Sequence, residues 1–221
     1  SELVKRAGKN PTKAKRDSTT LAVLREVVKT HRRVCFDGDG YNEDWVTEAE
    51  KRGLPHLKST ADALPVIKSK KSLDLFRKYK VLSNRELRAR YEILLEQYVA
   101  ILDIEANTLI TMIRTQILPA GVRNQAQLAD AVAATRATGI DSPATDALLH
   151  ETIEAIEAVV QTLMTLETHS RRSFKSHEKA MSHSHQSLVP AMEAAREAAD
   201  ALERIVPADL WPLPTYAEML L

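Results

Sequence analysis

SNRELRARYEILLEQYVAILDIEANTLITMIRTQIL, Ser83 to Leu118, contains neither proline nor glycine. Its first four residues form a capping box, in which the Ser83 hydroxyl accepts from the Glu86 N–H and the Glu86 carboxylate reaches back. Leu87, Tyr91, Leu94, Tyr98, Ile101, Leu102, Leu109, Met112 and Ile113 then recur at helical spacing along one stripe. Some 35 residues at about 1.5 Å each predict a rod of roughly 50 Å, which Pro119 and Gly121 are expected to end.

The chain downstream repeats this pattern. A shorter helix, NQAQLADAVAATRAT, ends at Gly139, and Ser142 with Pro143 starts another whose face is expected at Leu149, Ile153, Ile156, Val160 and Leu163. In LVPAMEAAREAADALERIV, Leu188, Met192, Ala195, Ala199, Leu202 and Val206 lie 4-3-4-3-4 apart, the spacing of a helix-packing seam. An unbroken helix from Pro143 to Val206 would be about 95 Å long. A hairpin is therefore expected between Glu167 and Ser187.

Upstream the elements are short. Thr19–Arg33 carries Leu21, Leu24, Val27 and Val28 at helical spacing, with cations in the last turn. Asn42 is placed to cap EDWVTEAEKR, which Gly53 stops. Pro55 and Pro65 break the chain beyond Gly53, and LDLFRKYKVL offers one more short helix.

No run alternates over strand length. The fold class is all-α, a long-helix antiparallel bundle preceded by short helices and extended links. Residues 1–18 are expected as a basic flexible arm, 19–82 as short helices and links, 83–206 as the long-helix bundle, and 207–221 as a Pro-rich C-terminal tail.

Composition narrows function. The 221 residues hold 31 Lys and Arg against 30 Asp and Glu, which gives no overall pull toward nucleic acid or an anionic membrane. Six cations crowd VKRAGKNPTKAKR, but no aromatic lies among them to stack on a base. No run approaches the roughly 18 apolar residues of a transmembrane helix. Neither nucleic acid nor membrane is expected as a partner. The single cysteine, Cys35, excludes an intramolecular disulfide and fits a reducing, cytoplasmic setting. Lying between Val34 and Phe36, it is expected as a small buried hydrophobe.

Three segments invite a chemical reading. VCFDGDGYNEDW resembles a calcium loop, but counted from Asp37 the fifth and sixth positions are Tyr41 and Asn42, which removes a ligand and the turn glycine. The bland reading, a Gly-rich turn leading into an Asn-capped helix, is preferred. His169, His177, His183 and His185 share one polar segment in which HSH is a weak metal-binding pair lacking a completing Cys or acid. Glu105 falls on the expected apolar stripe and should need a partner there. No glycine-framed serine marks a nucleophile elbow. No catalytic, cofactor-binding or metal residue is assigned.

The segment CFDGDGYNEDWVTEAEKRGLPHLKSTADALP resembles the part of type III glutamine synthetases, the large bacterial form, that comes after their catalytic barrel. The resemblance continues through VLSNRELRARYEILLEQYVAILDIEANTLITMIRTQILPA and returns in LVPAMEAAREAADALERIV and LWPLPTYAEMLL. It implies a C-terminal helical domain of an enzyme that ligates ammonia to glutamate through a γ-glutamyl phosphate, with ATP and Mg²⁺ required by the full-length protein. None of that enzyme's catalytic motifs can be placed here, so the chain alone is expected to be inactive. Its implied partners are the catalytic barrel of the same polypeptide and neighbouring subunits of a ring assembly, with residues 19–82 docking onto the preceding barrel or onto the bundle. Trp45, Trp211, Tyr216, Met219 and Leu220 sit in segments too short to bury themselves, which marks them as interface anchors or as residues that fold back on the bundle. A free-standing helical adaptor is the alternative, and a His-segment metal sensor a third reading.

Overall fold

A computed structural model describes residues 2–214 and 216–219. Among them are helices and turns and no strand. The chain falls into two compact units, residues 1–58 and 59–221.

The first unit holds α1 (Glu2–Ala7), α2 (Lys13–His31) and α3 (Glu43–Lys51). Helix α2 begins inside the stretch expected as an arm, because Thr12 caps it by accepting the Lys15 N–H. α1 is tied to it by Arg6, which donates to Glu26 at 2.7 Å. Asn42 caps α3 through the Trp45 N–H, and Gly53, at φ +69°, ends it in a left-handed turn. The unit has almost no interior: among its described side chains the buried ones are Ala7 and Ala49. Cys35, expected to be buried, is exposed, since there is no core here for a thiol to enter.

The second unit contains α4 (Thr60–Ala63), α5 (Lys70–Lys78), α6 (Asn84–Met112), α7 (Leu118–Ala137), α8 (Pro143–Ser170), α9 (His177–His183), α10 (Val189–Glu203) and α11 (Tyr216–Met219). The Ser83 capping box forms in full. The helix it starts does not stop at Pro119. A π turn, Ile113–Ile117, joins α6 to α7, with the Leu118 N–H bonded to the Ile113 carbonyl. The extra residue widens the helix where the Pro119 ring would otherwise meet the carbonyl of the preceding turn. The rod therefore runs from Asn84 to Ala137, about 80 Å. A second π turn, Ser184–Leu188, joins α9 to α10 just before Pro190.

Three helical rods form the bundle. α6–α7 runs one way, α8 returns against α7 and the end of α6, and α9–α10 runs forward again after a hairpin at 171–176. The main core gathers Ala106, Ile113, Ile117, Ala120, Val159, Leu163, Leu166, Leu188, Ala195 and Leu202. At Gly121 the rods are so close that a Cβ would lie 3.0 Å from Leu202 and 3.1 Å from Ile156. A second cluster, Ala61, Leu64, Tyr91, Leu95 and Met181, pins the α4 segment and α9 to the start of the long rod.

The buried face of α6 is rotated from the expected stripe. Leu95 and Ala106 are fully buried, whereas Leu94, Ile101 and Glu105 are exposed. Glu105 thus needs no buried partner. A similar slip affects α8, where Thr152 and Val159 take the centre of the interface instead of Ile153 and Val160. In both helices isoleucines and leucines surround the cylinder, so periodicity alone did not distinguish neighbouring faces.

Candidate functional site

The Gly-rich turn is built around aromatic stacking. Asp39 accepts the Tyr41 N–H at 2.9 Å, an Asx turn that leads to the Asn42 cap. Gly38 lies where a Cβ would stand 2.7 Å from the Phe36 ring. With that space open, Phe36 stacks on Trp45 at a centroid separation of 4.6 Å. The Arg52 guanidinium lies 5.9 Å from both ring centroids and is held by Glu48 at 2.7 Å. Asp39 is therefore committed to the turn, and half-buried Trp45 is the centre of a cation–aromatic stack.

The tail residues have different fates. Trp211 packs in the main core with Val206, Leu210 and Leu213 around it, so it folds back on the bundle. Its indole N–H is buried without an acceptor. Met219 is exposed, on the edge of a groove of about 510 Å³ floored by Leu109, Met112 and Ile117. The Tyr216 side chain and Leu220 lie outside the described residues.

The histidine segment closes the hairpin. His183 Nε2 lies 3.1 Å from the His169 carbonyl, the two rings are 5.3 Å apart, and Phe174 covers His183 at 4.8 Å. Burial pushes the His169 pKa down, helped by His183 and Arg172, and its Nδ1 has no partner. Burial pushes the Asp103 carboxyl up on the facing helix. No group of three or more His, Cys, Asp or Glu is arranged to hold a metal among the described residues.

Two carboxylates join separate elements. Glu167 on α8 pairs with Arg114 in the π turn and Arg171 in the hairpin, and Arg114 holds its pKa below the usual range. Glu178 on α9 pairs with Lys68 and accepts from the Tyr91 hydroxyl, and Lys68 lowers its pKa.

The least satisfied surface is α2. No residue of this helix is buried. Leu21, Leu24 and Val28 are 55, 53 and 63% exposed along one edge, beside Arg25, Lys29 and Arg32. In the sequence they read only as a packing face. No motif marks the difference: Leu3, Val4, Val34, Tyr41 and Leu57 of the same unit are themselves exposed and do not cover it.

A family model for the glutamine synthetase C-terminal domain matches residues 19–136, more than half of the chain. The chain belongs to the glutamine synthetase C-terminal domain family. It is 33% identical over 206 residues to a type-3 glutamine synthetase of Dictyostelium discoideum, covering 90% of this chain and 28% of that protein. It is 31% identical over 202 residues to a glutamine synthetase of Butyrivibrio fibrisolvens and 25% identical over 214 residues to one of Bacteroides fragilis, covering 29% of each. The relatives are therefore not confined to bacteria. The chain spans less than a third of their length. The glutamine synthetase C-terminal domain family thus accounts for the α2, Gly-rich turn and long-rod segments, Thr19 to Arg136, and the pairwise likenesses extend across 90% or more of the chain.

Proposed function

We propose that this chain is the C-terminal structural and assembly domain of a glutamine synthetase and is inactive by itself. The longer cytoplasmic enzyme would ligate ammonia to glutamate using ATP and Mg²⁺, with its active site in the part of the protein that this chain does not span. The observation that carries this reading is the first unit, which among its described side chains buries only Ala7 and Ala49 yet displays an apolar stripe on α2. An isolated helix of such length is marginal in water and gains stability chiefly through packing. A unit of this kind is completed by another surface, and the catalytic barrel and neighbouring subunits of a ring are the surfaces a glutamine synthetase would supply.

The test is to express a full-length relative of this family with Leu24→Asp and Val28→Asp at the matching positions, and to measure particle mass and glutamine formation. A smaller particle or a loss of activity is expected. An unchanged particle of unchanged activity overturns the assembly role, as does glutamine formation by the 221-residue chain alone.

A further inference from the structure

The exposed seam of α2 has a definite register. Ala14, Asp17, Leu21, Leu24, Val28 and His31 fall 3-4-3-4-3 apart, the spacing of a and d positions in paired helices. Arg25 follows a d position and so occupies e, and Arg32, the residue that ends the helix, continues that edge, while the opposite flank carries Lys13, Thr20 and Val27. The acids of the helix are Asp17 and Glu26, and Glu26 is already held by Arg6. The first turn carries Lys13, Lys15 and Arg16 and no acid, a sign that opposes the helix dipole.

These charges argue against a second copy as the occupant. An antiparallel pair of α2 helices would bring e positions together, Arg25 against Arg25 and Arg32 against Ser18, with no acid opposite either arginine. A parallel pair would set the arginines against Thr20 and Val27, which offer no acid. A seam this narrow also lacks the aromatic residues that anchor a helix at a lipid interface.

We propose that α2 docks a single amphipathic α-helix that carries glutamate or aspartate beside its own leucine stripe, contributed by a segment of the longer protein outside this chain. This deepens the assembly reading and rests on it for the source of the helix. The apolar stripe supplies contact, Arg25 and Arg32 select the sign and register of the partner, and the acids of that partner offset the cations of the first turn.

The test uses the whole 221-residue chain and two fluorescent synthetic three-heptad peptides, with leucine at a and d and either glutamate or lysine at e and g. Binding is followed by anisotropy at low and high salt. The expected result is saturable binding of the glutamate peptide, weakened about tenfold by high salt. Arg25→Glu with Arg32→Glu should reverse the preference to the lysine peptide, and Leu24→Asp should abolish binding of both, each with unchanged circular dichroism. Equal binding of both peptides, indifference to the charge reversal, or binding of phosphatidylserine vesicles but neither peptide would overturn the proposal. The two readings fail separately, since selective peptide binding by a chain whose α2 substitutions leave the longer enzyme intact would remove the assembly role alone.

Discussion

Pro119 and Pro190 occupy equivalent places in two different rods, each the second residue after a five-residue π turn. In both, the residue before the proline donates its N–H five residues back, Leu118 to Ile113 and Val189 to Ser184. The extra residue lets a proline sit inside a long helix without ending it, and resets which side chains face the core beyond that point.

Deletion of Gln116 converts the first π turn into an ordinary α turn and puts the Pro119 ring against a carbonyl. That variant is expected to lose about 3 kcal/mol of stability. The same deletion combined with Pro119→Ala should regain only the share due to the proline clash, because the face of α7 stays rotated from the core. Denaturant unfolding of both chains decides it, and equal losses would mean that the turn is set by packing and not by the proline.

Gly121→Val is expected to destabilise the bundle by about 1–3 kcal/mol, because Leu202 and Ile156 leave a Cβ only 3.0 and 3.1 Å. Thermal unfolding measures it. Val122→Ala, one position on and exposed, is the control and should change little.

Trp211→Ala removes a core side chain from a segment that sequence reading assigned to a tail. A loss of about 3 kcal/mol is expected. A similar substitution at exposed Met219 should cost well under 1 kcal/mol. Comparable losses at both would mean that the tail acts as one unit.

Stability should fall in two stages on acidification. His169 has a folded pKa below its ordinary 6.5, so the contribution of its neutral ring is present above about that pH and is lost as pH falls toward the lowered value. His169→Leu should flatten this first stage. Glu167 has a folded pKa below its ordinary 4.5, so its contribution persists lower and disappears as pH falls from about 4.5 through the lowered value. Glu167→Gln should cost about 1 kcal/mol at neutral pH and nothing at the acid end. Asp103, raised by burial, works the other way and costs stability as pH rises past its ordinary 3.8. Unfolding midpoints at successive pH values separate the three.

Helix ends in the sequence were marked by chemistry that acts locally. Ser83 with Glu86, Asn42, and Gly53 each act within one turn, and the structure has them where side-chain type and spacing put them. The α10 seam was legible for a related reason: its alanines leave one face large enough to pack, and Leu188, Ala195, Ala199, Leu202 and Val206 are all buried. The buried face of α6 was not legible, because Ile93, Leu94, Ile101 and Ile104 make the outside as apolar as the inside. The choice is made by α4, α8 and α9, which are distant in sequence. Pro119 misled for a similar reason, since the one-residue insertion that accommodates it leaves no mark on composition. The exposed state of α2 depends on how little residues 2–58 bury, a property of the whole unit that no motif encodes.

That scarcity of interior makes order in residues 2–58 a gauge of occupancy. On the assembly reading, a unit that buries so little has little local stability of its own, and partner binding would set the population of its folded form. Copies engaged through α2 would resist proteases between His31 and Gly53, and surplus copies would be cut there. Turnover of this segment would then report, and help to balance, the stoichiometry of assembly.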